Sequence, residues 1–152
     1  MSRDFQITVT GDAELIAALR SVTSGGLKFN KGLAESGRYL TRFYSGDVFA
    51  GEGPAYGAKW KPLSFPYVLR KAKLFPGRTI LVREGDMIRS FRARSNSHTL
   101  TIDNTDWKFR FHELGKGVPQ RRMMRLDTQR ATRVTEHLES DLEEQLQKKG
   151  LL

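Results

Sequence analysis

The sequence predicts an α+β fold, in which an antiparallel β-meander of three to four strands packs against two or three helices, with a long extended loop. Three observations lead to this prediction. Runs of alternating apolar and polar residues cluster between residues 91 and 111, an apolar stripe of helical period occupies residues 127 to 149, and a stretch rich in glycine and proline lies near residues 50 to 65. With 152 residues, the chain has the length of a single domain, residues 1 to 152.

The N-terminal part predicts one strand and one short helix. Phe5, Ile7 and Val9 alternate with polar residues, which is the pattern of a half-buried strand. Apolar residues then recur at helical spacing between residues 12 and 22, and a Thr-Ser-Gly-Gly turn follows.

A second helix is predicted from about Asn30 to Val48, where apolar residues fall on one stripe. Gly32 and Gly37 interrupt it, and each costs about 1 kcal/mol relative to alanine unless a close contact uses the missing side chain. We therefore expect this helix to pack tightly against a neighbour.

Residues 50 to 65, AGEGPAYGAKWKPLSF, predict an extended loop. Loops of this length are usually functional or disordered, and Trp60 argues for a loop that docks on its own domain or on a partner. Short helical segments are predicted after it, at Tyr67 to Lys73 and at Glu84 to Ser90.

The meander is predicted from three strands, 91 to 94, 98 to 103 and 107 to 111, joined by turns at 95 to 97 and 104 to 106. Alternation places apolar residues, Trp107 among them, on the buried face. The opposite face would be basic and would carry Arg92, Arg94, Lys108 and Arg110.

The last helix is predicted over about residues 127 to 149, with Asp127 or Thr128 as its cap. Its apolar stripe contains Ala131, Val134 and Leu138 and continues with leucines at the same spacing.

Charge and composition narrow the function classes. Lys and Arg number 26 against 17 Asp and Glu, a formal charge of +9, which favours a polyanionic neighbour such as DNA. The alternative is a basic surface that binds nothing. The absence of cysteine excludes disulfides and thiol chemistry. No signal-peptide pattern or apolar run of about 20 residues is present, so we expect a soluble protein with no membrane partner.

No catalytic, metal or cofactor site is predicted. His112 and Glu113 begin like the H-E-x-x-H zinc motif, but Lys116 occupies the position of the second histidine. The other histidines, His98 and His137, have no ligand-type neighbour at local spacing, and phosphate-loop and nucleophile-elbow motifs are absent. The sequence therefore predicts that the protein is not an enzyme.

An ordered set of motifs carries a family resemblance. PAYGAKWKPL occupies residues 54 to 63, ILVREGDM occupies residues 80 to 87, and His112, Gly115, Pro119 and Arg121 precede the last helix. In order and spacing, roughly residues 45 to 130 resemble the phage virion morphogenesis family, the tail-completion proteins of Mu-like and related tailed phages.

The resemblance implies a structural virion protein that completes the tail or joins tail to head, as a neck or tail-terminator component. It implies a homo-oligomeric ring, most simply a hexamer, around the channel through which genomic DNA passes without sequence-specific contacts. Further partners would be the tail tube or terminator and the head-completion or connector proteins. The protein would lie at the head-tail junction or tail end of the virion, and in the host cytoplasm during assembly.

Two residue sets follow as candidates. The basic sheet face would meet DNA in the channel, or it is a plain solvated face. Subunit or partner interfaces favour aromatic, Met and Arg side chains, although a core role competes for Trp60. The interface candidates are Trp60, Pro62, Leu63, His112, Pro119, Arg121, Arg122, Met123 and Met124.

Two other functions compete with the virion role. The first is a non-catalytic DNA-binding accessory protein of phage assembly or packaging, although no recognition helix or zinc finger supports it. The second is a small hydrolase, which would need paired carboxylates in a cleft, whereas the acidic residues cluster on the last helix.

Overall fold

The computed structural model describes residues 6 to 10, 27 to 148 and 150. The α+β class is confirmed. In chain order the described elements are β1 (Gln6–Thr10), α1 (Asn30–Ser45), α2 (Asp47–Gly51), a 3-10 turn (Pro54–Tyr56), α3 (Phe65–Leu74), α4 (Asp86–Arg89), β2 (Phe91–Ser95), β3 (Thr99–Asn104), α5 (Phe109–Leu114) and α6 (Thr128–Lys148). The predicted helix at residues 12 to 22 lies outside the described residues.

The chain divides into two compact units. In the described residues, the first unit comprises Gln6, Thr41–Arg92 and Asp103–Arg125, and the second comprises residues 7 to 10, 27 to 40, 93 to 102, 126 to 148 and 150.

The described sheet has three strands in the order β1-β3-β2. The turn between β2 and β3 is built on Asn96, whose side-chain Oδ1 accepts the N–H groups of His98 and Thr99 at 2.9 and 2.8 Å. An asparagine that bonds the backbone two and three residues on is a standard turn former. The predicted turn at residues 95 to 97 is confirmed.

The prediction of a third meander strand at residues 107 to 111 is wrong. Residues 109 to 114 form helix α5, so the sheet has fewer strands than the predicted maximum. Asp106 forms the turn that leads into this helix, because its Oδ1 accepts the Lys108 N–H at 2.9 Å and its carbonyl accepts the Phe109 N–H at 3.1 Å. Trp107, predicted to be buried, is 66% exposed, and its ring meets Phe111 one helical turn later at 5.9 Å.

Aromatic side chains form the core of the first unit. Phe91 at the start of β2 packs against Phe49 and Phe109, with ring centroids 6.2 and 5.7 Å apart. Trp60 meets Phe49 edge to face at 5.6 Å. These rings are buried, so they contribute both burial of apolar area and favourable edge-to-face geometry.

In the second unit, helix α1 approaches its neighbours closely at its glycines, as predicted. A Cβ on Gly37 would lie 3.0 Å from Leu100 Cδ1, and a Cβ on Gly32 would lie 2.8 Å from the carbonyl oxygen of His137. The predicted span ran on to Val48, but α1 ends at Ser45 and α2 takes over after Gly46.

Helix α6 begins and ends close to the predicted positions. Asp127 is its cap, since Asp127 Oδ1 accepts the Arg130 N–H at 3.0 Å. The buried carboxylate of Asp141 accepts the Gly32 N–H at 2.7 Å and thereby satisfies a free amide in the first turn of α1. Gln145 Nε2 holds this carboxylate at 2.9 Å.

The predicted loop of residues 50 to 65 is partly structured. Helix α2 reaches Gly51, the 3-10 turn occupies Pro54–Tyr56, and the chain is irregular from there to Ser64. Helix α3 is longer than the predicted segment at both ends.

Candidate functional site

Two segments far apart in the sequence meet in the first unit. We call residues 60 to 63 and 119 to 124 together the motif cluster. The indole Nε1 of Trp60 donates to the Arg122 carbonyl at 3.0 Å. In the reverse direction, Arg121 donates to the Lys61 carbonyl through Nε at 3.1 Å and Nη2 at 2.9 Å, and Nη2 also lies 3.4 Å from the Pro62 carbonyl. Each segment therefore places a side chain on the backbone of the other.

Arg121 is only 4% exposed. Burial lowers the pKa of its guanidinium, which nevertheless stays charged because the ordinary pKa of arginine lies far above neutral pH. Charge-assisted hydrogen bonds to carbonyl oxygens compensate part of the desolvation. Arg121 therefore acts as a fork that fixes the irregular chain at residues 61 and 62.

A buried carboxylate holds the same region from the other side. Glu113 is 4% exposed, and its Oε2 accepts the N–H groups of Met123 and Met124 at 2.6 and 3.2 Å. Burial raises the pKa of Glu113 to about 7, while the hydrogen bonds from the backbone amides of Met123 and Met124 oppose that rise. Glu113 thus anchors the segment in which Met123 and Met124 are fully buried.

Two tyrosine hydroxyls complete the support. Tyr56 Oη donates to the Met123 carbonyl and accepts the Arg125 N–H, both at 3.2 Å. Tyr44 Oη donates to the Arg125 carbonyl at 3.0 Å. Residues 121 to 127 have no regular secondary structure, so these side chains supply the partners that a helix or sheet would otherwise give.

An open cleft of about 470 Å³ lies beside the motif cluster. Its lining includes the predicted residues Pro62, Leu63, His112, Pro119 and Arg121. Burial lowers the pKa of His112, and the charge of Arg121 lowers it further.

Acidic side chains also line this cleft, and two of them bind their own chain. Asp86 pairs with Arg89 at 2.8 Å, and Asp106 accepts the Lys108 N–H at 2.9 Å.

The predicted interface residues divide by exposure. Trp60, Arg121, Met123 and Met124 are buried and contact their own unit, which agrees with the core alternative for Trp60. These four residues could affect an interface only indirectly, by fixing the backbone to which they are hydrogen-bonded or against which they pack. The others reach solvent: Leu63 and His112 are half-buried, and Pro62, Pro119 and Arg122 are exposed.

The prediction that four basic residues share one face of the sheet is wrong for two of them. Arg92 and Arg94 are exposed on β2, but Lys108 and Arg110 lie at the start of α5, because the third strand is a helix. Arg92 Nη1 donates to the carbonyls of Arg89 and Phe91 at 2.8 and 2.9 Å. The guanidinium of Arg110 stacks on Phe111, 5.1 Å from the ring centroid.

Glu113, Tyr56 and Tyr44 were not among the predicted site residues. In the sequence, Glu113 belongs only to the incomplete H-E-x-x-H motif. Each acts on a backbone group remote in sequence, so residue spacing carries no signal for it.

Among the described residues, no group of three or more His, Cys, Asp or Glu side chains could hold a metal ion. In the same residues, no helix is both long and apolar enough to cross a membrane.

Comparisons of the chain with models of protein families, with curated proteins and with solved structures gave no match.

Proposed function

We propose that this protein is a structural component of a tailed-phage virion, which completes the tail or joins tail to head as a homo-oligomeric ring around the DNA channel. The observation that carries the proposal is the reciprocal bonding in the motif cluster. Trp60 belongs to the PAYGAKWKPL motif and Arg121 to the motif that follows Gly115, and each side chain binds the backbone of the other motif region across about 60 positions of sequence.

This contact gives the family resemblance a physical basis. Short motifs that match by chance have no reason to bind one another in the fold. Here the two elements of one signature satisfy each other's buried polar groups, and removing either would leave unpaired atoms in the other. The signature thus corresponds to one structural corner, which supports a common architecture with the family.

The use of the buried charges supports a structural role over a catalytic one. Arg121, Glu113 and Lys71 are all buried, and each bonds a backbone carbonyl or amide of its own unit. A catalytic acid, base or nucleophile must instead reach a substrate atom. These groups stabilise irregular chain, and the proposal assigns no turnover to them.

Electron microscopy of particles assembled without this protein tests the proposal. We expect separate filled heads and tails, or tails with an abnormal end, and restoration by the wild-type protein supplied in trans. Normal joined particles in its absence would contradict a role in tail completion.

The alternative is a non-catalytic DNA-binding accessory protein of phage assembly. The charge of +9 and the exposed side chains of Arg92, Arg94 and Lys108 favour it. The same micrographs separate the two functions, because loss of a packaging accessory would give empty heads alongside normal tails.

An enzymatic function is tested independently. Purified protein should release no product from DNA, peptidoglycan or peptide. An activity that disappears with one substitution in the cleft, such as His112→Ala, would overturn the structural assignment.

A further inference from the structure

Helix α3 exposes the apolar side chains that a helix normally buries. Phe65, Leu69 and Leu74 are 73%, 58% and 55% exposed, and the helix residues between them are largely exposed as well. Its buried residue is Lys71, whose Nζ donates to the Thr79 carbonyl. Soluble helices usually place an apolar stripe against the core and charges in solvent. In α3 this arrangement is reversed.

Space remains on two sides of α3 within the first unit. The cleft of about 470 Å³ is lined by Tyr67 and Lys71. A second hollow of about 280 Å³ is lined by Val68, Ala72 and Phe75, among others. Contiguous exposed apolar surface of this kind marks an interaction site, and hollows beside it can receive partner side chains.

The charge on α3 restricts its partner. The helix sequence FPYVLRKAKL contains no acidic residue, and Arg70 and Lys73 are exposed beside the apolar side chains. Exposed Arg78 and Arg83 follow. A complementary surface must therefore combine apolar groups with carboxylates.

Helix α6 carries such a surface. Glu136, Glu139 and Glu143 are exposed and lie three and four residues apart, so they form one ridge. Next to it runs a row of half-exposed leucines, Leu138, Leu142 and Leu146. We call these six residues the acidic leucine face.

We propose that α3 of one copy docks on the acidic leucine face of α6 in a second copy. The proposal deepens the ring of the proposed function and rests on it for the biological setting. Arg70 and Lys73 would meet Glu139 and Glu143, and the apolar residues of α3 would cover the leucines. Two different patches that pair between copies make a head-to-tail contact, which closes into a ring when the rotation allows.

Paired charge reversals test this contact in solution. One variant carries Arg70→Glu and Lys73→Glu, and the other carries Glu139→Lys and Glu143→Lys. Each alone opposes like charges at the contact, so we expect each to associate at least about tenfold more weakly than wild type by light scattering. Mixed together, the two variants restore opposite charges at both contacts and should reassemble.

A control and an apolar variant sharpen the test. Arg38→Glu with Arg42→Glu makes the same change of net charge at exposed positions of α1 and should keep the wild-type mass. Leu69→Ser removes an exposed apolar side chain and should weaken association without loss of circular dichroism.

The proposal is overturned if folded charge variants keep the wild-type mass, or if their mixture does not associate. It is also overturned if the wild type is a monomer that binds vesicles containing phosphatidylserine through Leu69. A wild-type assembly that needs both surfaces, together with normal virions made without the protein, would keep the contact and reject the virion role.

Discussion

Buried polar side chains in the first unit bind backbone groups. Glu113 accepts hydrogen bonds from two backbone amides, and Arg121 donates hydrogen bonds to two backbone carbonyls. The hydroxyl of Tyr56 is hydrogen-bonded to the backbone of both Met123 and Arg125. An irregular buried segment needs such partners, because an unpaired backbone group away from water costs about 1 to 3 kcal/mol. These side chains should therefore matter more to stability than charges at the surface.

Two adjacent arginines allow a matched test of this view. Arg121→Ala removes the fork that binds the Lys61 and Pro62 carbonyls and should lower the free energy of unfolding by about 2 to 3 kcal/mol. Arg122→Ala removes an exposed side chain and leaves intact the carbonyl that Trp60 uses, so the change should stay within about 0.5 kcal/mol. Urea denaturation measures both. Equal losses would contradict a specific role for the fork.

The raised pKa of Glu113 should make the stability of the fold depend on pH. Its folded pKa of about 7 is raised above the ordinary 4.5, so the folded state binds the proton more tightly than the unfolded state does. The stabilisation is complete below about pH 4.5 and is lost as the pH rises through about 7, by at most about 3 kcal/mol.

Glu113→Gln should flatten this part of the stability curve, measured by denaturant unfolding from pH 4 to pH 8. Glu84→Gln changes an exposed carboxylate and serves as the control. An unchanged slope in Glu113→Gln would refute the assignment.

At the scale of elements, sequence patterns predicted most helices and the β2–β3 turn but mistook α5 for a strand. Five residues that alternate apolar and polar, Trp107 to Phe111, fit a strand, yet Phe109 and Glu113 also share one helical face and are both buried. Asp106 before the segment and Gly115 after it are helix start and stop signals, and they identify the correct state.

The candidate site was predictable in part. Its motif residues were found, because tryptophan, proline and arginine are distinctive in a loop. The exposure of α3 was not, because its composition alone is compatible with a buried helix. Contacts between segments that are distant in the sequence determine which side chains remain exposed. The local spacing of residues does not indicate these contacts.

The two glycines after α5 give a test at this scale. Gly115 and Gly117 both have left-handed backbone angles, φ 70° and 72°, but only at Gly115 would a Cβ meet a neighbour, Gln120 Cβ at 2.9 Å. Gly117→Ala should therefore cost only the backbone strain, about 1 kcal/mol. Gly115→Ala should cost clearly more, as measured by thermal unfolding. Similar losses would show that the space beside Gly115 is unimportant.

For the whole molecule, the excess of positive charge is the property that composition alone could predict. The charge of +9 is distributed over several elements and not over one sheet face, because Lys108 and Arg110 belong to the α5 region. Contacts between such a surface and DNA would involve phosphates, would not depend on base sequence and would weaken with salt.

Binding to duplex DNA of mixed sequence tests whether this charge has a use. If it meets phosphates, affinity should fall steeply between about 50 mM and about 200 mM salt and be the same for unrelated sequences. Arg92→Glu with Arg94→Glu on β2, and Lys108→Glu with Arg110→Glu at the start of α5, should each weaken binding and lower the salt slope by up to about 2. Arg38→Glu with Arg42→Glu changes net charge equally and reveals how much of the loss is a long-range effect. A larger loss in the β2 pair or in the α5 pair locates the DNA-facing element. Equal losses in all three pairs, or no binding at the lower salt, would mean that the four side chains on β2 and at the start of α5 form an ordinary solvated surface.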